Sequence, residues 1–325
     1  MIHRAYNDRV EMEPSAGQSE WAVILAGGDG SRLRSLTRKI TGDERPKQFC
    51  HILGEGTLLE QTRRRVALEI APERTLLLVN RAHELFYEPL LLEESRANLV
   101  VQPCNRGTAP AILYSLLRIA AVDPEAAVAF FPSDHYISND ERFMNHIRAA
   151  LNAVRQRPDL VLLLGIHPES AEVDYGWIEP AGPIPVSECP RLFGVRRFWE
   201  KPNHSFARGL QVRGCLWNSF VMVSSVRGLL EVIEKALPHL CRALGKLGTV
   251  FGTRKETSTV DRLYQDLAES NFSHQVLALC PERLAVLKVM GVKWNDLGEP
   301  RRVMASLSLA GLQPHWATAA IAQTA

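Results

Sequence analysis

Short apolar runs alternate along the chain with longer stretches in which apolar residues recur every three or four positions. Trp21–Ala26, Thr75–Val79, Leu99–Gln102, Val128–Phe131 and Leu160–Ile166 are strand-length and apolar with little alternation. Strands covered on both faces have that character. Between them, Leu58–Ile70, His83–Glu94, Thr108–Ala121 and Glu141–Val154 read as helices. In the third, Ala111, Leu113, Leu116, Leu117 and Ala120 supply the apolar face. The alternation predicts an α/β fold with a mostly parallel sheet flanked by helices. After about residue 170, Pro180, Gly182, Pro183, Pro185 and Pro190 crowd together. Strands are predicted there at Gly176–Glu179, Phe193–Trp199, Leu216–Val223 and Leu284–Val289, with helices at Val226–Leu247 and Pro300–Leu309. This second half reads as an extension of the first sheet. One domain is expected over residues 19–310, between a polar arm at 1–18 and a tail at 311–325 of no assigned role. In an open α/β sheet, ligands bind beyond the carboxyl ends of the strands. The loops after Ala26, Gln102, Phe131 and Glu179 are the places to look.

Composition narrows the function. Of 325 residues, 46% are hydrophobic and 23% charged, an ordinary balance for a soluble globular chain. Lys+Arg is 38 and Asp+Glu 36, so the net charge of +2 offers no field for nucleic acid or an anionic membrane. No apolar run reaches the ~20 residues that span a bilayer, and Met1–Glu20 lacks the apolar core of a secretory leader. Cys50, Cys104, Cys189, Cys215, Cys241 and Cys280 are scattered, without a CxxC pair. Reduced thiols in a cytoplasmic protein are expected.

The candidate chemistry begins directly after the first strand. Ala26-Gly27-Gly28-Asp29-Gly30-Ser31-Arg32 is a loop in which Gly27, Gly28 and Gly30 let the backbone curl around phosphate, with Arg32 adding a guanidinium fork. Leu33 stands where a dinucleotide fingerprint needs its third glycine, and no Walker Gly-Lys-Ser/Thr follows. Downstream, Pro46 stiffens the backbone ahead of Lys47, a point charge for a polyphosphate. Gln102 to Ile112 places polar groups before a helix whose amino end at Gly107-Thr108 has N–H groups for an anion or base carbonyl, or is simply capped by Thr108. The strand ending at Phe131 runs into Asp134, a carboxylate placed to hold Mg²⁺.

With Pro46-Lys47-Gln48-Phe49 after the glycine loop, the sequence resembles the sugar-1-phosphate nucleotidyltransferases, and more narrowly the mannose-1-phosphate guanylyltransferases. The resemblance runs from about Trp21 to Val303. It implies a Rossmann-like, mostly parallel mixed sheet, the nucleotide-diphospho-sugar transferase fold. It further implies that Ala26, Gly27, Gly28, Gly30, Gln102, Asn105, Gly107 and Thr108 meet the nucleotide. Tyr175 and Gly176 of Asp174–Glu179, Glu200 of Phe198–Pro202 and Asn218 of Leu216–Phe220 meet the sugar, and Lys201 pairs with its phosphate. Arg32 and Lys47 act on the triphosphate. Asp134 and Asp296, the latter in Lys293–Gly298, hold Mg²⁺. The chain departs from the family at Ser35, Gly107 and Glu299-Pro300, which stand where a proline, an asparagine and a small residue followed by tryptophan are usual.

The expected reaction is GTP plus mannose 1-phosphate giving GDP-mannose plus pyrophosphate, by in-line attack with Mg²⁺ as cofactor. The alternatives are the same chemistry with glucose 1-phosphate and UTP or dTTP, and a non-catalytic regulatory subunit that binds nucleotide sugars. The joint presence of Arg32, Lys47, Asp134, Lys201 and Asp296 argues against the second. With about 25 residues after the last motif, no isomerase domain is expected. Oligomeric state stays open, a homodimer being one option.

Overall fold

Successive residues of a strand point to opposite faces, and both faces of the central strands are apolar because both are covered. In the computed structural model, residues 19–91 and 98–317 are described. The strands are Glu20–Leu25 (β1), Thr75–Asn80 (β2), Leu99–Gln102 (β3), Ala127–Pro132 (β4), Tyr136–Ile137 (β5), Val161–Ile166 (β6), Gly176–Pro183 (β7), Leu192–Glu200 (β8), Leu216–Ser225 (β9), Leu284–Val289 (β10) and Trp294–Asn295 (β11). The α-helices are Arg34–Thr41 (α1), Leu58–Val66 (α2), Glu84–Tyr87 (α3), Thr108–Ala120 (α4), Asp140–Gln156 (α5), His204–Val212 (α6), Val226–Ala236 (α7), Pro238–Leu244 (α8), Glu256–Asp266 (α9) and Pro300–Ala310 (α10).

Nine strands form one sheet in the order β3-β2-β1-β4-β9-β6-β10-β8-β7. Only β8 and β9 run against the rest, so the expected mostly parallel mixed sheet is what forms. Ala22, Ile24, Leu77, Ala129, Leu162 and Leu164 face one layer with α2, α5 and α6. The alternating Val23, Leu76, Val128, Phe130, Val161 and Leu163 face the other, with α4, α7, α8 and α9. A third cluster joins Leu33, Ile52 and Leu58 to Leu297, Val303 and Leu307 of α10 and to Ala317, so part of the expected tail is packed into the body.

Local chemistry sets the boundaries. Thr57 and Glu60 close a capping box at the start of α2. Asn139 accepts the Arg142 N–H at 2.8 Å to cap α5. The expected helix Val226–Leu247 breaks at Leu237, because Pro238 has no N–H to continue it and instead opens α8. The expected helix His83–Glu94 is a series of short turns, with α3 followed by a 3₁₀ turn containing Pro89; its end falls outside the described residues. Among the described residues no helix is long and apolar enough to cross a membrane.

One feature of the sheet positions the site. The end of β9 pairs with β4, through Ala127↔Ser225 to Phe130↔Met222. Its first residues pair with β7, Trp177↔Trp217 and Ile178↔Leu216, while β6 takes the other edge of β9 throughout. The start of β7 therefore stands in line beyond the carboxyl end of β4. The candidate residues Tyr175 and Gly176 lie at that start, ahead of the loop after Glu179.

The first turn of α7 shows how closely the layers approach. Ser225 Oγ accepts the Gly228 N–H at 2.9 Å and donates to the Pro158 carbonyl at 2.7 Å. A Cβ on Gly228 would lie 2.3 Å from that carbonyl oxygen. Helix propensity alone favours Ala over Gly by ~1 kcal/mol. Gly228→Ala is nevertheless expected to destabilise the protein by about 1–3 kcal/mol through overpacking. Urea unfolding checks the sign, and a stabilised variant would contradict this packing.

Candidate functional site

The two candidate metal carboxylates are far apart in sequence and are joined by a two-stranded ladder. After β4 the chain turns through Ser133, whose N–H donates to the Leu25 carbonyl at 3.2 Å, into Asp134. β5 then pairs antiparallel with β11, Tyr136 opposite Asn295 and Ile137 opposite Trp294. That register brings Asp296, one residue past β11, to the same end as Asp134. Trp294 Nε1 donates to His135 Nδ1 at 3.2 Å, and the rings meet edge to face at 5.2 Å. Burial pushes the His135 pKa down to about 4, although Asp134 pulls the other way, so the imidazole is neutral near pH 7.

Lys47 enters between these carboxylates from the turn Lys47–Phe49, and it is only 7% exposed. Its Nζ lies 3.4 Å from Asp134 Oδ2 and donates to the main-chain carbonyls of Asp296 and of Leu297, the second at 3.2 Å. Those carbonyls are aimed by two side-chain turns. Asn295 Oδ1 accepts the Leu297 N–H and Asp296 Oδ1 the Gly298 N–H, each at 2.8 Å. The cost is Leu297 at φ +48°, a backbone region rare for branched residues.

Asp296 is the most heavily held group. Its Oδ1 accepts from Tyr175 OH at 3.2 Å, Gly298 N at 2.8 Å and Arg302 Nη1 at 2.9 Å. Its Oδ2 faces Arg32 Nη2 at 3.5 Å. Burial alone would raise its pKa, but Lys47 and Arg302 outweigh that and hold it below the usual carboxylate value. A Cβ on Gly298 would lie 2.5 Å from Oδ2, so glycine keeps that face of the carboxylate clear. Arg32 is half exposed, with Nη1 also 3.7 Å from Asp174 Oδ2.

The glycine loop is pinned from beneath. Gln48 Nε2 donates to the carbonyls of Ala26 at 3.0 Å and Gly28 at 2.8 Å. Gly30 has φ +58° and abuts the Pro46–Lys47 backbone, whereas Gly28 borders open space. Gly27 packs on the buried Gln102, whose Nε2 would be 2.8 Å from an added Cβ and whose Oε1 accepts from Tyr264 OH at 3.2 Å. Asn105 donates to Asp29 Oδ2 at 2.8 Å and accepts the Gly107 N–H at 2.9 Å.

The amino end of α4 differs from expectation. The Thr108 hydroxyl does not cap its own helix; it accepts the Phe272 N–H at 2.8 Å. The Ala109 N–H donates to the Ser270 carbonyl at 3.0 Å, and Pro110 has no N–H. A Cβ on Gly107 would lie 2.3 Å from that carbonyl oxygen, which accounts for glycine there. Much of the helix end is thus spent on the 270–272 segment.

The candidate sugar residues form a second group. Gly176 stands opposite Glu200 across β7 and β8, and a Cβ on it would lie 3.1 Å from Glu200 Oε2 and 3.3 Å from the Asn218 Cβ. Asn218 sits where the β6–β9 register shifts. Its Oδ1 accepts the Phe220 N–H at 3.1 Å, with Phe220 at φ +59°. Bulges of this kind re-aim side chains. Burial raises the Glu200 pKa, while Lys201 and His274 pull it down. Lys201 is exposed, has φ +45° and donates its N–H to the Tyr175 carbonyl at 3.2 Å. Tyr175 joins the two groups, its hydroxyl on Asp296 and its carbonyl on Lys201.

Sequence reasoning gave no role to Gln48, Glu172, Asp174 or Arg302. Arg302 had a signal: it falls on the same helical stripe as the buried Val303, Ser306 and Leu307.

A sheet wound this way takes phosphorylated ligands beyond its carboxyl edge, and all these residues gather there. The comparisons narrow the class. A family model described as nucleotidyl transferase matches residues 21–307, and the chain belongs to that family. Mannose-1-phosphate guanylyltransferase 2 of Escherichia coli O157:H7 is 31% identical over 296 residues, covering 85% of this chain and 58% of that protein. Mannose-1-phosphate guanylyltransferase ManC of Salmonella typhimurium is 27% identical over 284 residues, covering 86% and 57%. The chain thus spans a little over half the length of these relatives. A crystal structure described as mannose-1-phosphate geranyltransferase from Thermus thermophilus superposes with a TM-score of 0.76 at 29% identity, over 89% of this chain and 80% of that one. UDP-glucose pyrophosphorylase complexed with UDP-glucose shares the fold, with a TM-score of 0.52 at 12% identity over 90% and 98%.

Gln48→Ala removes both ties under the glycine loop. At about 1 kcal/mol per hydrogen bond, amide hydrogen exchange at Gly27–Gly30 is expected to quicken by about tenfold or more. Unchanged exchange would show that the loop holds its shape without Gln48.

Proposed function

We propose that this protein transfers a nucleotidyl group from a nucleoside triphosphate to a sugar 1-phosphate, with GTP and mannose 1-phosphate as the substrates and GDP-mannose and pyrophosphate as the products. One observation carries the reading: a nearly buried Lys47 ammonium at the foot of a glycine-rich loop, set against Asp134 and the Asp296 turn. The mannose and guanine assignments rest on the segment Pro46–Phe49 and on the relatives named for that reaction.

In the proposed step an oxygen of the sugar phosphate attacks the α-phosphorus in line. The new P–O bond forms as the bond to the β-phosphate breaks, and pyrophosphate departs. An ionised phosphate needs no protein base, so the chain's task is alignment and charge neutralisation. The glycine loop with Ala26, Gly27, Gly28 and Gly30 cradles the triphosphate, and Arg32 and Lys47 neutralise it. Gln102, Asn105, Gly107 and Thr108 border the nucleoside; Asn105 acts there through its tie to Asp29. Tyr175, Gly176, Glu200 and Asn218 receive the sugar, and Lys201 its phosphate.

Asp134 and Asp296 present carboxylate oxygens only, which suits a hard cation. No group of three or more His, Cys, Asp or Glu that could hold a metal occurs among the described residues. Mg²⁺ held by these two carboxylates would take its other ligands from substrate and water, as that ion commonly does. When bound it would supply charge neutralisation on the phosphates.

Purified protein with Mg²⁺ and mannose 1-phosphate is expected to release pyrophosphate with GTP. Release with UTP or dTTP and glucose 1-phosphate alone would move the specificity, and no release with any pair would favour the regulatory-subunit reading. Lys47→Ala is expected to lower kcat by about 10²–10³-fold, the scale for loss of one transition-state charge contact, with the circular dichroism spectrum kept. Near-normal turnover would remove Lys47 from the mechanism.

A further inference from the structure

Arg302 is 6% exposed and lies on the first turn of α10, which Pro300 opens. Its guanidinium meets three carboxylates. Nη1 donates to Asp296 Oδ1 at 2.9 Å, and Nη2 donates to Glu172 Oε2 at 2.8 Å and to Asp174 Oδ2 at 3.0 Å. Its central carbon stands 4.5 Å from the centre of the Tyr175 ring, a cation–π contact. Tyr175 OH bonds to the same Asp296 oxygen. One planar, permanently charged group thus ties the carboxylate after β11 to the segment leading into β7. A lysine ammonium would offer its donors from a single point, without the planar fork that spreads these partners over two nitrogens.

The arrangement is asymmetric in a way that matters. Arg302, Tyr175 and the Gly298 N–H all engage Oδ1 of Asp296, while Oδ2 is turned toward Arg32 and the glycine loop. The buried Arg65, paired with Asp140 at 2.6 Å, serves as an internal comparison, being an ion pair between α2 and α5 that does not bond to Asp296 or Tyr175.

We propose that Arg302 is a positioning residue that fixes Asp296 with one oxygen engaged and the other presented to the reaction centre, and locks the start of the sugar-binding strand to it. The proposal rests on the metal and sugar roles given above to Asp296 and to Tyr175–Gly176. It assigns Arg302 no contact with substrate. The consequence is coupling: metal affinity and sugar-phosphate affinity depend on the same guanidinium.

The test compares Arg302→Met, Arg302→Lys and Arg65→Met with the parent. Mn²⁺ binding without substrates is read by electron spin resonance, and steady-state KM values are read separately. Loss of a residue that orients a metal ligand commonly costs 10–100-fold in metal affinity. Arg302→Met is expected to weaken Mn²⁺ binding by about tenfold or more and to raise the sugar-phosphate KM comparably, with the nucleotide KM within about threefold, on that same scale. Arg302→Lys is expected to fall between. Arg65→Met is expected to lower Tm while leaving Mn²⁺ binding and both KM values at parental levels. Parental Mn²⁺ binding in Arg302→Met would overturn the proposal, as would equal losses in Arg302→Met and Arg65→Met. If Arg302→Met does not fold, parental Mn²⁺ binding and sugar KM in Arg302→Lys would overturn it. Absence of turnover in the parent protein would instead count against the reaction, while the Mn²⁺ comparison would still decide the role of Arg302.

Discussion

A nearly buried ammonium has to be compensated where it stands, because leaving a charge unpaired in a low-dielectric interior costs several kcal/mol. Lys47 is that charge. The ion and its partners come from three distant parts of the chain: the turn after the glycine loop supplies the lysine, the end of β4 supplies Asp134, and the turn after β11 supplies two carbonyls. Satisfying Lys47 therefore fixes the relative placement of all three. The left-handed backbone at Leu297 is what aims its carbonyl, so local strain is held by the ion it serves.

Sheet topology then decides which residues can reach this point. β7 continues the line of β4 along the same edge of β9, so Tyr175 and Gly176 stand beyond the carboxyl end of β4, with the Tyr175 hydroxyl on Asp296, even though they begin a strand. The register shift between β6 and β9 turns Asn218 into the same space, and the positive φ of Phe220 records the cost. The candidate sugar and nucleotide residues are brought to one end of the sheet because one antiparallel strand gives its two ends to different partners.

Much of this was legible in the sequence, and the reason differs by element. The central strands announced themselves because covering both faces leaves only apolar residues, as at Val23 and Ile24. The glycine loop and Lys47 stood out as candidates by residue type and spacing, and Asp134 and Asp296 through the family resemblance; the structure sets Lys47 against Asp134 and the Asp296 turn. The ladder of β5 and β11 was not: two strands of two residues carry no periodicity, yet they bring the carboxylates together. The partner of the Thr108 hydroxyl was not legible, because a hydroxyl before a helix looks the same whether it accepts from its own helix or from Phe272. The break at Leu237 was available in Pro238 and outweighs the apolar spacing on either side. Arg302 was hidden by its type, since an arginine near the end of a chain reads as a surface charge until three carboxylates are found around it.

Those carboxylates bear on the proposed chemistry through their sum. Asp134, Glu172, Asp174, Asp296 and Glu299 stand against Lys47, Arg32, Arg301 and Arg302, five negative groups to four positive. Arg302 is committed to the carboxylates on every side and has no reach left for a phosphate. Of this cluster, Lys47 and Arg32 are then left for the proposed triphosphate, and each already faces an aspartate. Even with Lys201 on the sugar phosphate, three cations are fewer than the charges of a triphosphate and a sugar phosphate brought together. For the proposed reaction, a divalent cation at Asp134 and Asp296 would add positive charge where the protein offers only oxygen ligands. Lys47 first, and Arg302 from behind, hold the Asp296 carboxyl below its usual range against the pull of burial.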